Sequence, residues 1–145
     1  MAAMSDYLEN KLIDQIFRGQ AYTFPATSYI GLLTVAPSDT GGGTEVSGNA
    51  YARVAVTSSL ANWAGTQGTG TTLASSGTSG TTSNNASITF PTPTASWGTV
   101  VGFGVYDAST SGNLLFYGTL SISKTINQGD TVTFPASSLS LQLDN

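Results

Sequence analysis

Apolar residues recur at Leu8, Leu12 and Ile16, with Ile13 and Phe17 beside them, so the spacing predicts an amphipathic helix from Ser5 to Arg18. Ser5 is placed to cap its start and Gly19 to end it, and Asp14 and Arg18 form an i,i+4 pair in the favoured order. A helix this short is marginal alone in water, so its apolar face needs a partner. That partner is either the sheet of its own domain or a neighbouring subunit, which makes Leu8, Leu12, Ile16 and Phe17 candidate subunit-contact residues.

From there on the period changes from helical to alternating. A nearly all-apolar run from Ser28 to Val35 predicts a strand covered on both faces. Alternation over Tyr51–Thr57, Ala86–Phe90, Thr99–Asp107, Leu114–Leu120, Ser121–Ile126, Val132–Phe134 and Leu139–Leu143 predicts further strands, the last running up to the C-terminus. Ala108–Asn113 and Asn127–Asp130 have turn chemistry between them. Such a series of short strands predicts an all-β fold, an antiparallel β-sandwich or jelly roll carrying an N-terminal α-helical arm. The expected division is an arm over residues 1–19 and a sandwich domain over 20–145, with long ordered loops at 36–50 and 65–85. The second loop is almost wholly Gly, Ser, Thr, Gln and Asn, which cannot order itself by burial, so a sheet or a neighbouring molecule must hold it. Trp63 and Trp97 each stand beside a turn and are expected in the core.

Composition narrows the chemistry. The 145 residues suffice for one core, and with no cysteine there are no disulfides or thiolate metal sites. The sequence also lacks histidine, the commonest general base and metal ligand. Charged residues are only 8% of the chain against about 25% in ordinary soluble proteins, so the surface must be clothed in neutral polar groups. Such a coat is cheap to desolvate and suits packing against neighbours. Lys11, Arg18, Arg53 and Lys124 are too scattered to track phosphates, so no nucleic-acid partner is expected. No run of 18 consecutive apolar residues and no signal-like N-terminal stretch occur, so the expectation is no membrane association and synthesis in the cytoplasm.

Few constellations offer chemistry. No serine lies in a Gly-x-Ser-x-Gly elbow, so no catalytic residue is assigned. Asp39 and Glu45 are the obvious carboxylate pair for glycoside hydrolysis, yet they sit on a glycine-rich loop with no aromatic or basic subsite nearby in sequence. Those two, or Asp107 and Asp130, have the oxygen chemistry calcium accepts, but without Asp-x-Asp spacing they read as solvated turn acids, and no metal or cofactor is expected. Gly41-Gly42-Gly43-Thr44 lacks the Gly-Lys-Ser/Thr of a phosphate cradle. Arg53, next to Tyr51 at a strand start, is expected to pair with Asp39 or Glu45 and pin the loop at 36–50.

Several stretches carry a resemblance. They are Tyr29-Ile30-Gly31-Leu32-Leu33-Thr34, Pro37-Ser38-Asp39-Thr40-Gly41-Gly42-Gly43-Thr44-Glu45-Val46, Ala50-Tyr51-Ala52-Arg53, Gly102-Phe103-Gly104-Val105-Tyr106-Asp107-Ala108 and Gly112-Asn113-Leu114-Leu115-Phe116-Tyr117-Gly118. Together they resemble a family of small tailed-bacteriophage structural proteins, either capsid cement (decoration) proteins or tail-fibre proteins. The resemblance implies a virion structural protein without enzyme activity. Small size and the lack of shaft-like repeats favour a cement protein on the capsid surface, a homo-oligomer with the major capsid protein as partner, gripping joints between capsid subunits. A tail-fibre or receptor-binding subunit is the alternative, with Trp63, Trp97 and the tyrosines stacking on host glycans.

Overall fold

A computed structural model describes residues 2–143. It shows an all-β sandwich of antiparallel sheets with one N-terminal helix among the described residues. Its elements are β1 (Ala2–Met4), α1 (Asp6–Phe17), β2 (Thr27–Val35), β3 (Thr44–Glu45), β4 (Val54–Thr57), β5 (Thr81–Ser83), β6 (Ile88–Thr89), β7 (Gly98–Tyr106), β8 (Leu114–Ile126), β9 (Thr133–Phe134) and β10 (Ser140–Gln142). The final alternating strand was expected to reach the C-terminus; it ends at Gln142, and Asp144 and Asn145 lie outside the described residues.

The main sheet has six strands in the order β1-β8-β7-β2-β3, with β4 sharing the outer edge of β2. Alternation along β2 and β7 turns Ile30, Leu32, Phe103 and Val105 to one face, where they join the core cluster. The second layer comprises two short ribbons, β5–β10 and β6–β9, which bring in Ile88, Phe90, Leu139 and Leu141. Trp97 is buried in the same cluster and donates its indole N–H to the Asn49 carbonyl at 3.0 Å, while Trp63 packs against it half-buried.

Three short strands were not expected: β1, and β3 and β5, which fall inside the loops expected at 36–50 and 65–85. Residues 2–4 form an edge strand on β8, with Ala3 opposite Tyr117, where the sequence was read as the lead-in to a helical arm. Three residues of Ala-Ala-Met carry no alternation, and their strand exists because β8 offers a ladder to pair with. The two strands expected at 114–120 and 121–126 are one, β8, interrupted where residues 120–123 face only Val101 across from them. At this break β8 carries three residues more than β7 and bulges into an arch.

The loop at 65–85 is ordered by its own side chains, with β5 as its last segment. Gly65 N–H donates to Thr71 Oγ1 at 2.9 Å, Gln67 Nε2 to the Ala74 carbonyl at 2.9 Å, and Ser79 Oγ to the Thr66 carbonyl at 2.7 Å. Hydroxyls and amides here replace the apolar anchors that the composition lacks.

One buried amide ties that loop to the second layer. Asn84 is fully buried, and its Nδ2 donates to the carbonyls of Ala86 and Pro135, each at 2.8 Å, while Oδ1 accepts the Leu139 N–H at 2.9 Å. Truncation to alanine leaves two carbonyls and an N–H unpaired in the interior. We therefore predict that Asn84→Ala lowers unfolding stability by about 2–4 kcal/mol with an unchanged denaturant slope. Urea titration followed by tryptophan fluorescence checks this, and a midpoint equal to that of the native chain would show the amide to be dispensable.

Candidate functional site

The densest polar cluster lies on the outer edge of β2. That edge is divided between β4, which pairs with Thr27–Ile30, and β3, which pairs with Leu33 and Val35. Between the two, the Leu32 N–H has no strand to meet, and the Tyr51 hydroxyl accepts it at 2.8 Å. The same hydroxyl donates to Glu45 Oε1 at 2.7 Å. Arg53 holds both carboxylate oxygens of Glu45 in a two-pronged pair, Nε to Oε1 at 2.9 Å and Nη2 to Oε2 at 2.7 Å. Its remaining nitrogen donates to the carbonyls of Ala108 at 2.7 Å and Ser111 at 2.8 Å, in the turn between β7 and β8. The guanidinium also lies over the Tyr106 ring at 3.4 Å.

Glycine makes room for this stack. A Cβ on Gly31 would come within 2.7 Å of Glu45 Oε1, and one on Gly104, its partner across β2 and β7, within 2.7 Å of the Tyr106 ring. Gly31 and Gly104 therefore form the floor under Tyr106.

The Arg53 side chain is only 7% exposed. Burial pulls its pKa down, but the Glu45 hydrogen bonds and charge outweigh this and the net shift is upward. Burial pushes the Tyr51 and Tyr106 phenols up, and the Glu45 charge adds to it in both.

Of the four residues expected to pin the loop at 36–50, the structure brings together Glu45, Tyr51 and Arg53. Asp39 is elsewhere and does not meet Arg53. It accepts the Tyr117 hydroxyl on β8, and its carbonyl accepts the Asp6 N–H at the start of α1, at 3.0 Å. The hydrogen bond to Asp39, more than burial, holds the Tyr117 phenol up at about 12. Asp39 thus serves the base of the helix. Beside it Ser5 caps α1, accepting the Leu8 N–H at 3.4 Å and donating to the Leu114 carbonyl, with its own N–H on the Leu115 carbonyl.

From that anchored base the helix runs outward. Leu8 is buried within the chain, and Leu12 is half-buried. The exposed apolar face is its far end, Ile13, Ile16 at 65% and Phe17 at 79%. Asp14 and Arg18 pair beside that face at 2.9 Å. The connector folds back along the helix, with the Tyr22 N–H on Gln15 Oε1 at 2.6 Å and Tyr22 edge-on to Tyr7 and Phe24.

A second open feature lies between the layers. Under the arch at 120–123, a cleft of about 750 Å³ reaches core residues Val100, Phe103, Ile126 and Phe134. Ile122 on the arch is 70% exposed. The periodicity of residues 114–126 gave no sign of either, because the break exists only in the pairing of β8 with β7.

The acids considered for catalysis or calcium have structural partners. Asp107 accepts the Asn113 backbone N–H and side-chain amide, both at 2.7 Å, and Asp130 accepts the Asn127 N–H at 2.7 Å, each closing a turn. Trp97, at 5% exposure, is no platform for a sugar.

The polar cluster holds the chain's own loops, while the far end of α1 and the cleft beside β8 stay open. A family model described as Podophage GP4 fiber I protein gp80 matches residues 3–142, and the chain belongs to that family. It is a tailed-phage structural protein of tail-fibre type, and so a virion component. No protein with a curated description matches it.

Removing one member of the Arg53–Glu45 pair strands the other in a largely dry site. Glu45→Leu and Arg53→Met are each predicted to cost about 2–4 kcal/mol, and the double variant combining them to recover part of it. A double-mutant cycle by urea unfolding measures this; additive losses would mean that the two residues act independently. Raised tyrosine pKa values also set a sign. Above the ordinary value near 10, an unfolded chain loses its phenolic protons while folded Tyr51 keeps its own. The unfolded state then binds fewer protons, so stability is fully present below pH 10 and falls as pH rises beyond it. Unfolding midpoints between pH 8 and 11.5 are expected to fall less steeply in Tyr51→Phe than in the native chain. Parallel slopes would remove Tyr51 from the account.

Proposed function

We propose that this chain is a non-enzymatic fibre subunit of the phage particle, a homo-oligomer that packs on its neighbours through the exposed end of α1. The observation that carries this reading is the family match, which runs over residues 3–142 and so takes in the helix, the Arg53 cluster and the cleft together. Burial supports the choice of surface: α1 is anchored at its first turn, yet presents Ile13, Ile16 and Phe17 to solvent on one face. Isolated exposed apolar residues are ordinary, but a row at i, i+3, i+4 is how a helix meets a partner. Association would stabilise such a subunit by mass action. The lack of histidine and cysteine, and the structural partners of Asp39, Glu45, Asp107 and Asp130, support the absence of catalysis.

A cement protein bound to the major capsid protein on the capsid surface is the second reading, favoured by the small size and the lack of shaft-like repeats. Both readings need a neighbour, and they differ in where it sits. Glycan recognition within the fibre reading would have to use surfaces other than Trp97.

Two measurements test the proposal. Gold-labelled antibody against this chain, imaged on whole particles, is expected at the tail; label spread over the capsid faces would favour cement. Phe17→Ser with Ile16→Ser is expected to change monomer stability by no more than about 0.5 kcal/mol while removing the chain from particles in a complementation assay. Normal incorporation of that variant would take α1 out of the contact.

A further inference from the structure

The exposed end of α1 and the cleft beneath the β8 arch are complementary, and nothing in the described residues of a single chain fills either. The first is a convex apolar ridge, Ile13, Ile16 and Phe17 at i, i+3, i+4. The second is a concave opening of about 750 Å³ onto apolar residues, among them Leu120, Val132 and Phe134. A pocket of this size and lining is where an apolar partner is expected to bind. Its chemistry selects a polypeptide ridge with few charges, since all but two of its lining residues are uncharged.

Charge sharpens the choice of occupant. The ridge carries one charge of each sign, Asp14 and Arg18, paired with each other at the surface. Among the cleft's lining residues the charged ones are Lys124 and Asp130, again one of each sign. No carboxylate among the described residues lies within ion-pair distance of Lys124. A ridge that brings an acid to Lys124 and a base to Asp130 meets no like charge in either place.

We propose that α1 of one copy of this chain inserts Ile13, Ile16 and Phe17 into the β8 cleft of a second copy, with Asp14 facing Lys124 and Arg18 facing Asp130. The contact is heterologous: each copy gives its helix to one neighbour and its cleft to another. Such a contact closes into a ring or propagates as a filament. The assignment rests on the reading of the chain as a self-associating fibre subunit, and it adds the receiving surface.

The chain has no cysteine, so single cysteines report contacts cleanly. Ile16→Cys and Ser121→Cys chains are prepared separately, then oxidised alone and mixed, at concentrations where sedimentation shows association of the native protein. The expected product is a mixed disulfide between the two variants, with little from either alone. Lys124→Glu is expected to weaken association about tenfold, and Asp14→Lys in the other copy to restore it. A disulfide formed as readily by Ile16→Cys alone would mean helix-on-helix contact and overturn the cleft assignment, leaving the fibre-subunit reading intact. Association without the mixed disulfide, or without charge-swap rescue, overturns it in the same way. A native chain that stays monomeric throughout and is absent from particles overturns both.

Discussion

The bidentate pair between Arg53 and Glu45 holds the outer edge of the main sheet together, because there two short strands must share the edge of one long strand. A continuous partner for β2 would satisfy its backbone by ladder bonds alone. Here β3 and β4 leave a gap at Leu32, and the Tyr51 hydroxyl fills it because Glu45 accepts its O–H hydrogen bond and Arg53 fixes Glu45. The same guanidinium reaches the turn between β7 and β8, so three segments distant in sequence depend on one side chain. Side chains have replaced backbone as the closing element of the sheet. In a site this dry, the fork geometry of arginine matters, since a lysine offers no planar set of donors for a carboxylate and two carbonyls at once.

That substitution also explains where the few charges are. Between Arg53 and Asp107 the sequence contains no charged residue, and the long loop there is held by hydroxyls and amides. Arg53 and Glu45 neutralise each other, and Asp107 and Asp130 close turns. What remains at the surface is mostly neutral and inexpensive to desolvate. Such a surface puts only a small electrostatic barrier before any association.

The sequence made the local devices legible and the long-range ones only in part. Ser5 announced the helix start and the alternating runs announced most strands, because each signal lies within a few residues of its effect. Arg53 with Glu45 was within reach, since both flank one glycine-rich loop. Asp39 was assigned the same partner and has another: Tyr117 is 78 residues away, and only the pairing of β8 beside β1 and α1 brings it near. The edge strand at Ala2–Met4 had no pattern of its own to read, as its ladder belongs to β8. The open cleft was invisible for a related reason. Residues 120–123 alternate like the strand around them, and the arch arises because Val101 alone stands across from four residues.

The placement of α1 follows from the same economy of contacts. Its first turn is fixed four ways, by the Ser5 cap, by the Ser5 N–H on β8, by the Asp6 N–H on Asp39 and by the burial of Leu8. Its last turn has only the Asp14–Arg18 pair and the connector folded along it. A helix rigid at its base and bare at its end holds its apolar face in a defined direction without a partner present, so less ordering entropy is lost when one arrives. Had the apolar arc been buried along its full length, α1 would simply thicken the sandwich. Its division between a buried Leu8 and an exposed Phe17 is what turns a packing helix into an arm.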